Sequence, residues 1–383
     1  MNINNYLYIN LKIFIFFYIL FFSINSLKYH KDGSLSSYKH YINDCRNLKK
    51  YNRAKIKNII PYFSICLPAF NMENYIQNVI LSIINQSFQD FEIIIVNDNS
   101  KDKTEEIIKY FRSIDDRIKY INHLNNSGVY NSRVDAFLLS KGKYILLMDP
   151  DDMLLNPKLL EELHKYNLNY NLDIIEFTSL CYEEINSNLI KKKSKYHYHN
   201  LDGIVFQPQL SDIYFYDSIT KDYSAVQCRN IWNKIIRRNV LLETFNYIGK
   251  DYYENFFITA EDTMINLISL HFANNFSNIN LPGYMYNIRE ESMTHGAFNL
   301  KKDILFNYNH LLYLKKLFRY IKEFNKDRNF LFYELKVTNK LLLKLKNITY
   351  IYNADINNFY KEILDDYYSS ELFKEYLKQY INL

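Results

Sequence analysis

Three aspartates follow an apolar segment of the chain and are well placed for chemistry. The segment Tyr144–Met148 reads YILLM, and Asp149, Asp151 and Asp152 come directly after it around Pro150. Carboxylates at the end of a buried strand suit a hard divalent cation, because Mg²⁺ and Mn²⁺ prefer oxygen ligands and take several of them from phosphate groups. Aspartates here also suit an ordinary helix cap, since they are favoured in the first turn of a helix. This segment alone does not choose between the two interpretations.

Alternating strands and helices surround the aspartates. Four apolar runs have the length of strands: 62–67, 91–96, 118–121 and 144–148. Helical spacing of apolar residues predicts helices between them, with Pro68 ending the first strand and Asn71 capping the first helix. Such alternation predicts an α/β fold with a parallel sheet, whose ligands bind at the carboxyl ends of the strands. Three polar segments are therefore predicted to line one crevice: 68–71, 98–102 and 149–152.

Three segments of this region follow one another along the chain and are informative as a set. They are SICLPAFNMENYIQNVILSIINQSFQDFEIIIVNDNSKDKT, NNSGVYNSRVDAF and KGKYILLMDPDDMLLNP. Together they resemble the nucleotide-sugar half of family 2 glycosyltransferases, densely over 62–156 and more loosely to about residue 296. The resemblance implies a GT-A domain over 61–298, with a Rossmann-like, mainly parallel sheet flanked by helices. A helical C-terminal region is expected over 299–383.

The resemblance implies a nucleotide site at the ends of the first two strands. Pro68, Ala69 and Phe70 match the loop whose aromatic residue lies against the base. Asp98 matches the acidic residue that accepts a hydrogen bond from the uracil imide, which favours a UDP-sugar donor. A carboxylate there discriminates strongly, because a base without that N–H would leave it unpaired.

The segment Asp149-Pro150-Asp151-Asp152 matches the DXD motif of the family. The resemblance implies a divalent cation, Mn²⁺ or Mg²⁺, with Asp151 as the direct ligand. Asp149 would contact ribose or a metal-bound water, and Asp152 would support the site. The ion would stabilise charge on the departing diphosphate. The sequence does not divide this work securely among the three aspartates.

Arg133 matches a basic residue near the donor phosphates or the acidic cluster, where a guanidinium suits phosphate geometry. The alternatives for Arg133 are a solvated helix face or a structural pair with Asp135 or Asp98.

Glu261 and Asp262 resemble the acceptor-side ED motif. Asp262 would be the base that deprotonates the acceptor hydroxyl, and Glu261 would support it or contact the acceptor. A helix N-terminus holds such a carboxylate ionised, although acidic residues are common in any first turn.

Other residues carry weaker expectations. The segment 289–296 resembles the loop that closes the domain beside the donor, and its Arg289 or His295 could reach the diphosphate or the metal. A surface histidine in a polar loop is nevertheless commoner than a ligand. Trp232 is expected in the core because it lies among apolar residues at regular spacing.

The N-terminal segment resembles a targeting signal. Lys12 precedes ten apolar or aromatic residues, IFIFFYILFF, over 13–22. This core suits a signal peptide over 1–27, or a membrane anchor if 6–27 is taken as a whole. The polar segment 28–60 is predicted to be a stem or linker. Either interpretation places the catalytic part in the lumen of the secretory pathway or outside the cell.

Composition excludes some classes of function. A net charge of +5 without a basic, aromatic stripe gives no reason to expect a nucleic acid partner. Four scattered cysteines form neither a zinc motif nor a disulfide framework.

The expected activity is a metal-dependent, inverting transfer of sugar to a glycan, protein or lipid. A catalytically silent GT-A domain with a lectin-like or scaffold role is the alternative. A nucleotidyltransferase would need a Gly-rich basic loop, which 68–71 lacks.

Overall fold

The computed structural model describes residues 60–185, 188–191, 203–207, 230–249 and 260–289, with scattered positions from 309 to 324 and Lys374. The predicted targeting segment 1–27, the predicted stem 28–60 except residue 60, and most of 299–383 lie outside these residues. Within the described part of the chain, no helix is both long enough and apolar enough to cross a membrane.

Four parallel strands, with a helix after each of the first three, form one half of the sheet. The strands are β1 (Phe63–Ala69), β2 (Phe91–Asn97), β3 (Ile118–Asn122) and β4 (Tyr144–Leu147). The helices are α1 (Ile76–Ile84), α2 (Thr104–Ile114) and α3 (Val129–Leu139). β1 pairs in parallel with β2 and β4, and β2 pairs in parallel with β3. The predicted parallel α/β half is therefore confirmed.

The second half of the sheet is mixed in direction. Its strands are β5 (Met153–Leu154), β6 (Ile174–Ile185), β7 (Asn188–Lys191), β8 (Ile204–Phe206), β9 (Lys234–Arg237) and β10 (Asn275–Ile288). Its helices are α4 (Leu159–Tyr170), α5 (Arg238–Ile248) and α6 (Glu261–Phe272). The described order is β3-β2-β1-β4-β9-β6-β10-β5, with β7 beside β6 and β8 beside β10. β9 runs antiparallel to both β4 and β6.

The side chains of β1 alternate between two packed faces of the sheet. Cys66 packs with residues of α3, α5 and α6, whereas Phe63, Ile65 and Leu67 pack with residues of α1, α2 and α4. Because helices cover both faces, every residue of β1 and β2 is buried. Groups that must meet solvent and ligands are thus gathered at the strand ends.

The first strand is longer than its sequence predicts. β1 continues through Pro68 to Ala69 rather than stopping at the proline. The pairing of β1 with β4 ends at Cys66, and the Ala69 carbonyl faces β2, where it accepts from the Asp98 N–H. Pro68 therefore faces the side on which β4 has already ended, and its missing N–H interrupts no ladder there.

The prediction that Asn71 caps the first helix is wrong. α1 begins after Tyr75, which makes no side-chain cap hydrogen bond. Asn71 instead has a positive φ of 54°, a conformation that asparagine tolerates better than most residues. Its N–H donates to Ser100 Oγ at 2.9 Å, and its Oδ1 accepts from the Lys101 N–H at 2.8 Å. Asn71 thereby ties the loop after β1 to the loop after β2.

Candidate functional site

The three aspartates after β4 differ in their surroundings. Asp149 and Asp151 are partly exposed, whereas Asp152 is only 1% exposed. Asp152 Oδ2 accepts from the Tyr284 hydroxyl at 2.7 Å, and its Oδ1 accepts from the Asn287 N–H at 2.8 Å. Burial, with the charge of Asp151, raises the pKa of Asp152 well above its usual value. Asp152 therefore anchors the acidic turn to β10.

An aromatic stack backs this anchor. The ring of Trp232 lies 4.7 Å from that of Tyr284 and 5.1 Å from that of Tyr286, with nearly parallel planes in both pairs. Trp232 is buried, as its sequence context predicts. Because the Tyr284 hydroxyl also accepts from the Asp149 N–H at 3.3 Å, the stack fixes both ends of the turn.

Arg133 connects the acidic turn after β4 to the acids that begin α6. Its Nη2 lies 2.6 Å from Asp149 Oδ1, and its Nη1 lies 3.7 Å from Glu261 Oε1. The predicted alternative pairs with Asp135 and Asp98 do not form. The Arg133 side chain is buried, and its Nε and Nη1 have no hydrogen-bond partner among the described residues. Burial raises the pKa of Asp149 to about 6, although the Arg133 charge opposes this shift.

Glu261 and Asp262, which are predicted to lie on the acceptor side, begin α6. The preceding Ala260 has a positive φ of 61°, which turns the chain abruptly into the helix. Glu261 is 6% exposed, and burial raises its pKa to about 7 in spite of Arg133 and the helix dipole. The expectation of an ionised carboxylate at this helix terminus concerns Asp262 and stays a prediction. Asp262 is less buried, and its Oδ1 accepts from the Thr263 N–H at 2.7 Å.

Asp98 is held by a compact set of donors. Its Oδ1 accepts from the Ser127 N–H at 2.8 Å and lies 2.7 Å from His123 Nδ1, while its Oδ2 accepts from the Gly128 N–H at 2.8 Å. Burial opposes ionisation, but the hydrogen bonds from His123, Ser127 and Gly128 together lower the pKa of Asp98. Asp98 Oδ2 retains a lone pair for a further donor. The carboxylate is fixed at the start of α3, beside the strand-end loops.

Phe70 lies on the loop predicted to contact the base. It is 41% exposed, whereas Pro68 and Ala69 are buried at the end of β1. Beyond Phe70, the Glu73 N–H donates to Asp102 Oδ2 at 3.0 Å, and Glu73 Oε2 accepts from the Lys103 N–H at 3.0 Å. Asn71 makes similar bonds to the same neighbouring loop. The loop after β1 is therefore stabilised by hydrogen bonds to the loop after β2.

Asp149 and Asp151 supply the oxygens that suit a metal ion. Each is engaged by an arginine through one oxygen, Asp149 by Arg133 and Asp151 by Arg289 at 2.6 Å. Within the described residues, no three His, Cys, Asp or Glu side chains are arranged to hold an ion by themselves. Two partly exposed carboxylates nevertheless fit Mg²⁺ or Mn²⁺ bound jointly with phosphate, because such ions need only one or two carboxylates from the protein. His295 lies outside the described residues.

Sequence reasoning missed three residues that shape the site: His123, Tyr284 and Asn287. His123 contacts Asp98 across 25 positions, and Tyr284 and Asn287 contact Asp152 across 132 and 135 positions, so no local pattern marks these contacts. The alternation of strands does place His123 at the end of β3, where a polar residue faces the crevice. Its position at a strand end could have marked His123 as a candidate site residue.

Comparison with known proteins identifies the family. Residues 64–245 match the model of Glycosyl transferase family 2. An uncharacterised glycosyltransferase of Methanocaldococcus jannaschii is 36% identical over 156 residues, covering 39% of this chain and 53% of that protein. The Campylobacter jejuni GalNAc(5)-diNAcBac-PP-undecaprenol β-1,3-glucosyltransferase is 34% identical over 112 residues, covering 29% and 36%. S. aureus TarS in complex with UDP-GlcNAc aligns at 18% identity and a TM-score of 0.47, covering 80% of this chain and 91% of that chain.

Residues 64–245 therefore belong to a family 2 glycosyltransferase domain, and its mainly parallel sheet with flanking helices is the GT-A fold. The matching segments span about half, or less, of the length of these curated relatives.

Proposed function

We propose that this chain transfers a sugar from a nucleotide diphospho-sugar to a hydroxyl group of a glycan, protein or lipid, with inversion at the anomeric carbon. UDP is the favoured nucleotide, and Mn²⁺ or Mg²⁺ is the favoured cation. The family match supports sugar transfer. The choice of nucleotide, cation and stereochemistry rests on the residues of the site.

One observation carries the proposal. Arg133 lies 2.6 Å from Asp149 and 3.7 Å from Glu261, so it joins the acids after β4 to those that begin α6. Family resemblance assigns the first acids to the donor and the second to the acceptor. A single crevice containing both is what a direct transfer between two substrates requires.

The donor end of the crevice supports a uridine nucleotide. Asp98 Oδ2 can accept from an imide N–H, because only the Gly128 N–H donates to it among the described residues. The exposed ring of Phe70 offers a face for stacking. Asp151 and Asp149 would hold the cation, which when bound supplies Lewis-acid stabilisation of the diphosphate.

Asp262 is proposed as the base. The acceptor oxygen attacks the anomeric carbon from the face opposite the diphosphate, and Asp262 takes the hydroxyl proton. The bond between the anomeric carbon and the diphosphate oxygen breaks, and its electron pair leaves with the nucleoside diphosphate. Glu261, whose pKa is raised to about 7, is less suited to this role at neutral pH because it is protonated for part of the time.

The test is a panel of UDP- and GDP-sugars with Mn²⁺ or Mg²⁺, using the full chain and measuring release of nucleoside diphosphate. Acceptors should include lipid-linked glycans, because the Campylobacter relative is named for an undecaprenol-linked substrate. We expect Asp262→Asn to lower kcat by about 10²–10⁴-fold while UDP binding persists. We expect Asp151→Asn to weaken binding of UDP with Mn²⁺.

Glu106→Gln on the exposed face of α2 is the matched control and should leave both properties unchanged. Unchanged turnover in Asp262→Asn would refute the assignment of the base. If the wild-type chain binds UDP-sugars but transfers none to any acceptor, the silent-domain alternative would replace this proposal.

A further inference from the structure

Lys234, the first residue of β9, has a completely buried side chain. Its Nζ donates to the Asn230 carbonyl oxygen at 2.6 Å and to Asn233 Oδ1 at 3.1 Å. The same Nζ lies 3.3 Å from Glu176 Oε1. These partners match the donors of an ammonium group. An apolar side chain would fill this space without the cost of burying a charge, so the acceptors that Lys234 orients explain it better than packing does.

Two of these acceptors belong to the turn before β9, residues 230–233. Asn230 Nδ2 donates to Asn233 Oδ1 at 3.1 Å, so Asn230 is held through its side chain as well as its carbonyl oxygen. Asn233 Nδ2 donates to the Phe177 carbonyl oxygen at 3.0 Å, and the Asn233 carbonyl oxygen accepts from the Phe177 N–H at 2.9 Å. The turn is thus folded around the ammonium group and tied to β6.

This turn carries Trp232 to the acidic turn. β9 runs antiparallel to β4, so the turn that precedes β9 lies beside the acidic turn that follows β4. The Trp232 ring lies 4.7 Å from that of Tyr284, and their planes differ by 17°. Tyr284 in turn bonds Asp152 Oδ2 and the Asp149 N–H through its hydroxyl. A stacked ring restricts the direction in which that hydroxyl points.

We propose that Lys234 is a positioning residue for donor binding. Its ammonium group fixes the 230–233 turn, and the stack of Trp232 on Tyr284 transmits that constraint to the acidic turn. Among the described residues, the partners of Lys234 include none of the three aspartates of that turn. This inference rests on the proposed function. It adds that a buried lysine controls the acidic turn without contacting it.

The experiment is a double-mutant cycle on the full chain, with UDP affinity in the presence of Mn²⁺ measured by calorimetry. Lys234→Met keeps the length of the side chain without the ammonium group, and Tyr284→Phe removes the hydroxyl. We expect each change to weaken UDP binding by roughly 10-fold, and the double variant by little more than either alone, because both act on the same contacts. Independent effects would multiply to roughly 100-fold.

Fluorescence reports the same contacts directly, because Trp232 is the single tryptophan of the chain. Lys234→Met should shift its emission and increase its quenching by acrylamide, whereas Tyr284→Phe keeps the stacked ring and should change both little.

Lys119→Met is the matched control. Lys119 Nζ lies 2.6 Å from Oε2 of the buried Glu92, and both are the second residues of their strands, at the edge of the sheet opposite the acidic turn. This variant should lose stability while keeping wild-type UDP affinity and tryptophan emission. A merely structural role of Lys234 predicts that the two lysine variants behave alike.

Wild-type UDP affinity in Lys234→Met, or multiplied losses in the double variant, would overturn the inference while the proposed function stands. If circular dichroism shows that Lys234→Met does not fold, Trp232→Leu replaces it in the cycle, because it breaks the contacts one step later and leaves the buried charge paired. Wild-type UDP affinity in Trp232→Leu would overturn the inference equally. If the wild-type chain binds no UDP, the proposed function fails and the inference fails with it.

Discussion

His123 joins two carboxylates that lie apart along the chain. Its Nε2 lies 3.0 Å from Asp135 Oδ2, and its Nδ1 lies 2.7 Å from Asp98 Oδ1. Hydrogen bonds to Asp135 and Asp98 raise the pKa of His123 to about 9, so both ring nitrogens donate at neutral pH. The imidazolium therefore helps to fix the carboxylate proposed to select the nucleobase.

This pairing predicts how stability depends on pH. Because the folded-state pKa of His123 is raised, its contribution is complete below an unfolded pKa of about 6.5 and is lost as pH rises through about 9. We expect a loss of roughly 1–2 kcal/mol across this window, after discounting for solvent screening. Denaturant unfolding of wild type and His123→Gln between these pH values measures it.

His123→Gln should flatten the alkaline decline. His164→Gln is the control, because burial lowers the pKa of His164, and its loss should leave that decline in place. An unchanged slope in His123→Gln would show that the ion pairs with Asp135 and Asp98 contribute little.

At the scale of elements, Gly142, two residues before β4, packs closely against Ser64 of β1. Its N–H donates to Ser64 Oγ at 2.8 Å and to Glu92 Oε1 at 3.2 Å. A methyl group at Gly142 would lie 2.4 Å from Ser64 Oγ and 2.6 Å from the Ser64 backbone nitrogen. Backbone of a buried central strand cannot move aside easily, so the clash is expected to displace the turn that leads into the acidic strand.

Gly142→Ala should therefore lower the free energy of unfolding by about 1–3 kcal/mol, the usual cost of overpacking. Gly283→Ala is the comparison, because the three atoms nearest its methyl group belong to the Leu159 side chain rather than to the backbone, and a side chain can shift more easily. Urea denaturation should give the smaller loss for Gly283→Ala. The reverse order would mean that the turn before β4 is pliable.

Local pattern predicted the elements whose partners are close in sequence. β1 to β4 alternate with helices at regular spacing, and their parallel order follows from the handedness of such crossovers. β9 has only four residues, and it lies between β4 and β6 because of antiparallel pairing with both. No periodicity in so short a segment specifies that position.

For the candidate site, too, local pattern predicted the residues but not their long-range contacts. Asp98, Asp149, Asp151, Glu261 and Asp262 were predicted because each lies at an element end within a recognisable run. The contacts that fix them were not predicted, because they join residues far apart in the sequence. The distinction between a buried Asp152 and a partly exposed Asp151 depends on β10, which begins more than 120 positions later.

At the scale of the whole molecule, the second half of the sheet completes a site that the first half begins. The Tyr284 hydroxyl donates to Asp152 at 2.7 Å and accepts from the Asp149 N–H at 3.3 Å. β10, which carries Tyr284, also leads to Arg289. The acidic turn after β4 thus depends on a strand from the far end of the described domain.

Tyr284→Phe tests this dependence. Among the described residues, removing the hydroxyl leaves the buried Asp152 carboxylate with only the Asn287 N–H as a donor, so stability should fall by about 1–3 kcal/mol. UDP binding in the presence of Mn²⁺ should weaken as well, because the turn that carries Asp149 and Asp151 loses its brace. Calorimetry measures the affinity, and denaturant unfolding measures the stability.

Tyr166→Phe is the matched control for Tyr284→Phe. The Tyr166 hydroxyl lies 2.9 Å from Ser277 Oγ, so it also joins an element of this domain to β10. Ser277 lies near the start of β10, seven residues before Tyr284, which contacts the acidic turn. Its loss should lower stability by a similar amount without changing UDP affinity. If both variants weaken UDP binding equally, general loosening of β10 would explain the effect. If only Tyr284→Phe does, the nucleotide site depends on this one contact between the two halves of the sheet.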